Sequence, residues 1–110
     1  MITIAETEQF QKKVNKLLTE DERDNLISYL SENPNAGNLI RGTSGVRKLR
    51  WARSGMGKSG GTRAIYYYHS EMMPLYLLTI FGKNEKSNLS MSEKQILSKA
   101  VKELVGYWRL

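Results

Sequence analysis

The chain of 110 residues contains no cysteine. Disulfides, thiolate nucleophiles and cysteine-ligated zinc are therefore excluded, and the composition suits a reducing compartment. A single histidine, His69, leaves nothing resembling a carboxylate–histidine metal cluster. Long apolar runs are missing as well. The longest, Leu75 to Phe81, is far short of the roughly 20 residues needed to cross a bilayer. Glu6, Glu8, Lys12 and Lys13 interrupt the first twenty residues, which therefore do not read as a secretory leader. The expectation is a soluble, cytoplasmic protein with no membrane partner and no cofactor.

Acidic residues are absent from one long stretch. None occurs between Glu32 and Glu71, where seven of the 17 basic residues lie: Arg41, Arg47, Lys48, Arg50, Arg53, Lys58 and Arg63. Elsewhere, as in the first thirty residues, the two signs are mixed as on an ordinary solvated surface. The net charge of +6 favours an anionic partner, with nucleic acid the first candidate and an acidic protein or membrane surface behind it.

What is present reads as one small domain with a modest core, since 40% of the residues are hydrophobic. Ile2 to Ala5 is a first strand. Thr7 caps a helix with Phe10, Val14, Leu17 and Leu18 on one face. Thr19 and Glu22 match a capping box and open a second helix through Leu26, Ile27 and Leu30, stopped by Asn33-Pro34. Val46 to Ala52, Arg63 to Ser70 and Leu75 to Phe81 read as three strands, the last two joined by a turn at Glu71 to Pro74. Ser90 and Glu93 repeat the capping-box spacing. The helix they open carries Ile96, Leu97, Ala100, Val101, Leu104, Val105 and Trp108 as an apolar stripe, fit for core packing or for a partner surface. The order β-α-α-β-β-β-α predicts an α+β domain: a small antiparallel sheet with an N-terminal helical hairpin and a C-terminal helix.

Strand alternation sorts the cations. In an extended 46–52 segment Leu49 and Trp51 take the core side, leaving Lys48 and Arg50 together on the other face. Arg63 opens the next strand, near that pair. Several cations fixed on a rigid sheet make a phosphate site, whereas a purely solubilising face normally mixes both signs. The segment Gly55-Met-Gly57-Lys58-Ser59-Gly60-Gly61 has a superficial likeness to a nucleotide-binding loop. Ala52 stands where that loop needs its first glycine, and a strand rather than a helix follows, so nucleotide hydrolysis is excluded. A basic connection that orders around RNA fits better. Of the consecutive Tyr66, Tyr67 and Tyr68, Tyr67 faces opposite to its neighbours; one side packs in the core and the other is available to stack on a base.

Arg47-Lys-Leu-Arg50, Gly57-Lys58-x-Gly60-Gly61-x-Arg63, Ile65-Tyr-Tyr67 and Leu77-Leu-Thr-Ile-Phe-Gly-Lys-Asn-Glu85 occur in order. Together they resemble the HigB branch of the RelE superfamily of toxins. The resemblance extends over nearly the whole chain and is densest from Gly42 to Leu89. It implies a toxin of a type II toxin–antitoxin module that enters the ribosomal A site and cleaves mRNA without a metal. It also implies a cognate antitoxin, usually with a helix-turn-helix DNA-binding domain, whose complex with the toxin binds operator DNA.

Metal-free cleavage sets the ribose 2′-OH against the adjacent phosphate. It requires a base, an acid for the leaving 5′-oxygen, and cations for the phosphorane charge. The resemblance assigns Lys48 and Arg50 to the basic pair on the strand, Arg63 to phosphate stabilisation, and Lys83 to the basic position after the strand-closing glycine. Arg47, Arg53, Lys58 and Tyr67 are expected to contact RNA or the ribosome, and no metal site is expected. Two departures from the better-known RelE branch stand out. Asn84 replaces a further arginine, and a catalytic tyrosine is missing near Ser90. The acid and base are thus unassigned, and a non-catalytic ribosome- or RNA-binding module is the alternative. A DNA regulator acting alone is disfavoured, because the bases fall on strands and loops rather than on a recognition helix.

Overall fold

The computed structural model describes residues 1–52, 61–86 and 88–108. The elements run β1 (Ile4–Glu6), α1 (Glu8–Leu17), α2 (Glu20–Glu32), β2 (Asn38–Leu39), β3 (Arg47–Trp51), β4 (Thr62–Tyr67), β5 (Leu75–Gly82) and α3 (Met91–Trp108). The fold is α+β, with the helical hairpin and C-terminal helix where the sequence places them.

Local chemistry fixes the helix starts. The Thr7 hydroxyl oxygen accepts from the Phe10 amide at 3.2 Å and donates to the Leu78 carbonyl at 2.8 Å, so one side chain caps α1 and ties it to β5. At α2, Thr19 and Glu22 form both arms of the capping box. Ser90 and Glu93 do the same ahead of α3. Asn33 ends α2, its amide and its side chain both donating to the Tyr29 carbonyl.

The sheet order is β1-β5-β4-β3-β2. Two features correct the expected antiparallel, four-stranded sheet. β1 pairs parallel to β5, matching Ile4 with Leu75, and the two-residue β2 pairs with β3 at the other margin. Local periodicity cannot reveal that the first strand's partner is the last, and β2 is too short to show any alternation. The sheet is mixed.

Helices cover both of its faces. On one, Phe10, Val14, Leu18, Leu26 and Leu30 of the hairpin pack on Ala64, Tyr66, Leu75, Leu77 and Ile80, with Leu49 and Trp51 at the edge. On the other, Val101 and the half-buried Leu97, Leu104, Val105 and Trp108 of α3 meet Val46, Ile65, Tyr67, Leu78 and Phe81. Burying each large apolar side chain contributes roughly 1.5–3 kcal/mol before entropy is counted. An irregularity at Ile65/Tyr66 matches Ile65 with Thr79 but Tyr66 with Leu77. It resets the alternation, so Leu77 and Ile80, three residues apart, both face the hairpin. The α3 stripe is mainly packing, although Ile96 stays 65% exposed.

A paired ion bridge stitches the hairpin to the sheet edge. Arg23 donates to both Glu6 carboxylate oxygens, at 2.9 and 2.6 Å, and holds the Glu6 carboxyl below the usual carboxylate range. Among the described residues no helix is long and apolar enough to cross a membrane.

Candidate RNA-cleaving site

Arg50 of β3 and Arg63 of β4 are direct register partners, and Arg63 is matched on its other side with Phe81 of β5. Lys48 is opposite Ile65, two residues along the same face. Three cations predicted to share a surface are therefore brought together on one sheet face. Directly opposed residues have Cβ atoms about 4.5–5.5 Å apart, where like charges destabilise an antiparallel pair. A sheet built for stability alone would set an acid against one of these arginines; this one does not.

Burial separates the two arginines. Arg50 is exposed, whereas Arg63 is 5% exposed within the most buried strand. Among the described residues Arg63 makes no ion pair, and its guanidinium reaches only the Gly61 carbonyl, at the long distance of 3.5 Å. That carbonyl also accepts from the backbone amide of Lys83 at 3.3 Å. Lys83, exposed, thus stands at the same end of the sheet, just past the Thr62–Gly82 pair. Gly61 is tightly constrained: a Cβ there would lie 2.8 Å from the Trp51 carbonyl oxygen. The Thr62 hydroxyl donates to the same oxygen at 2.9 Å, closing the β3–β4 end beside the arginines.

Other expected contacts fall elsewhere. Arg47 shares the hairpin-side face of β3 with Leu49 and Trp51, and its guanidinium donates to the carbonyls of Gly37 (2.7 Å) and Asn35 (3.2 Å). It braces the turn before β2, away from Lys48 and Arg50. Tyr67 is on the α3 face, but its ring belongs to the core at 7% exposure, with the Gly45 backbone against it. The surface available for stacking on a base is correspondingly small. Its hydroxyl is 3.1 Å from Nδ1 of His69, and burial pushes the Tyr67 phenol upward, so it stays protonated at neutral pH. Arg53, Lys58 and the glycines from Gly55 to Gly60 lie outside the described residues.

The sequence reading missed a fourth cation on this face. Lys86 places its ammonium 5.1 Å from the centroid of the Phe81 ring, next to the arginine row, and pairs with the carboxylate of Glu93. The pairing and the Ser90 amide pull Glu93 down to about 2. Lys86 therefore has a standing counter-charge, whereas Lys48, Arg50 and Arg63 are in no ion pair among the described residues. The only sequence signal was a lysine seven residues ahead of the capping glutamate.

Arginines that no described residue neutralises, set on a rigid sheet with one withdrawn from solvent, can hold a phosphodiester and stabilise charge that develops on it. The family model described as the RelE toxin of the RelE / RelB toxin-antitoxin system matches residues 2–109. The chain belongs to the RelE toxin family: it is a toxin of a toxin–antitoxin system, with a cognate antitoxin as its partner.

Proposed function

We propose that this toxin is a ribosome-dependent endoribonuclease of the HigB branch, cutting mRNA without a metal and so inhibiting translation in the cytoplasm. The observation that carries the reading is the opposed Arg50–Arg63 pair, with Lys48 on the same face and no acid anywhere from residue 33 to 70. Arg63 holds the scissile phosphate and stabilises the phosphorane, its burial strengthening the interaction by keeping water away. Lys48 and Arg50 bind the flanking backbone and take part in proton transfer with Lys83. Arg53 and Lys58 extend the cationic surface toward RNA. The antitoxin carries a helix-turn-helix domain, and operator DNA is bound only through the complex.

Primer-extension mapping of an mRNA, with and without translating ribosomes, tests this. Free RNA is assayed with a general chelator. The ribosome arm uses a transition-metal chelator, because Mg²⁺ must be retained to hold the subunits together. Cuts that need ribosomes, fall in frame and survive chelation are expected. Ribosome-bound protein with intact mRNA would instead establish a binding module.

A further inference from the structure

We infer that Glu85 is a positioning residue for cleavage: it closes the turn after β5 so that Lys83 is held beside Arg63, and it gives its remaining charge to α1 rather than to the cationic row. The inference rests on the ribonuclease reading above and adds to it what fixes Lys83 in place.

β5 ends at Gly82, and Lys83, Asn84 and Glu85 follow as an exposed turn. No buried side chain pins these three residues. Among the described residues the side chains of Lys83 and Asn84 have neither a hydrogen bond nor an ion pair. Glu85 supplies the closure instead. Its backbone amide donates to the Gly82 carbonyl at 3.0 Å, and its Oε1 accepts from the Gly82 amide at 3.1 Å. One residue thus engages both polar groups of Gly82. Its Oε2 is 3.4 Å from the Lys13 ammonium of α1. The same strip of α1 backs the turn one helical turn further on, where a Cβ on Gly82 would lie 3.3 Å from Cδ2 of Leu17.

The effect falls on Lys83. Its amide donates at 3.3 Å to the Gly61 carbonyl, the same oxygen that is the only described acceptor of the Arg63 guanidinium. Two hydrogen bonds therefore separate the Lys83 backbone from Arg63. A turn closed through both groups of Gly82 confines the root of the lysine to this end of the sheet, and reacting groups lose rate steeply when displaced.

Charge placement supports the same role. The Gly82 amide, with Lys13 behind it, holds the Glu85 carboxyl below the usual carboxylate range, so it is ionised at neutral pH. An acid two residues from Lys83 would quench that cation if it paired with it. Both oxygens are instead committed, one to a backbone amide and one to a lysine on the helix that covers the opposite sheet face. Exposed ion pairs add little stability, so stability alone gives little reason for the arrangement.

Single-turnover cleavage on programmed ribosomes, with the toxin varied to saturation, tests the role. By charge alone, removing an acid near bound RNA should tighten binding and leave cleavage no slower. Loss of positioning predicts the reverse: Glu85→Ala should lower the saturated rate about tenfold without raising the half-saturating toxin concentration. Glu85→Gln keeps an oxygen for the Gly82 amide and should stay within about threefold of the parent. Once Lys83→Met has removed what is positioned, adding Glu85→Ala should cost nothing more. Thermal melts of all variants should fall by no more than a few degrees, about what loss of one surface hydrogen bond gives. Three results would overturn the inference while leaving the ribonuclease intact: Glu85→Ala cutting at the parent rate, an equal further loss in the Lys83→Met background, or a Gln variant as slow as the Ala variant. Lys83→Met cutting at the parent rate would remove the assignment of that lysine and the positioning with it, the arginines keeping theirs. A parent protein that leaves mRNA intact on ribosomes would remove the ribonuclease reading and this inference together.

Discussion

Replacing Arg63 by methionine should make the domain more stable and the toxin far less active. At 5% exposure the guanidinium is nearly withdrawn from water, yet its only described acceptor is one carbonyl at 3.5 Å. Residues 53–60, which connect the two strands, contain no acid that could pair with it. Its register partner is another arginine. Two unit charges about 6 Å apart repel by roughly 3 kcal/mol at an effective dielectric of about 20, and by less where one of them, like Arg50, is solvated. Methionine preserves the apolar stem and removes the charge. The expected net gain is about 1 kcal/mol, or several degrees in Tm for a domain of this size. Removing a fixed charge that acts on the transition state should cost about 10²–10³-fold in cleavage rate. Arg50→Met, at an exposed position, should move stability by no more than about 0.5 kcal/mol. Its cleavage loss should be smaller than that of Arg63→Met. Thermal melts and single-turnover cleavage on programmed ribosomes read the two quantities separately. An Arg63→Met protein that melts earlier and cuts like its parent would refute the reasoning at both steps.

Two further outcomes follow from contacts around the site. Tyr66 is fully buried, and its hydroxyl donates to the Pro34 carbonyl and accepts from the buried Gly37 amide, both at 2.8 Å. Tyr66→Phe strands both groups and should lower stability by about 2–4 kcal/mol, measured by urea unfolding; a loss below about 0.5 kcal/mol would mean that water replaces the phenol. The Lys86–Glu93 pair gives an acid signature. Glu93 is lowered from 4.5 to about 2, so its contribution is complete above pH 4.5 and fades as pH falls through about 2. With the pair about one-third exposed, that contribution should be at most about 1 kcal/mol. Amide exchange in the first turn of α3 should rise over that interval, and Glu93→Gln should remove the pH dependence; the same acid response in the Gln variant would refute the assignment.

The sequence alone determined whatever depends on neighbours along the chain. Thr7, Thr19 with Glu22, and Ser90 with Glu93 marked the helix starts, because a cap is chemistry between residues three apart. Alternation in β3 put Lys48 and Arg50 on one face and Leu49 and Trp51 on the other, because a strand repeats every two residues. The acid-free span was legible as composition. Tertiary structure decided what depends on which strands meet. The parallel pairing of β1 with β5 joins residues some seventy positions apart, which no local pattern encodes. Arg50 and Arg63 were expected near one another, but only register made them partners, and only the three-dimensional core withdrew Arg63 from water. Arg47 and Tyr67 looked equally able to reach RNA. Packing gave Arg47 to the carbonyls of Gly37 and Asn35 and turned the Tyr67 ring into the core, because a backbone acceptor or an apolar wall counts only once the chain has brought it within reach.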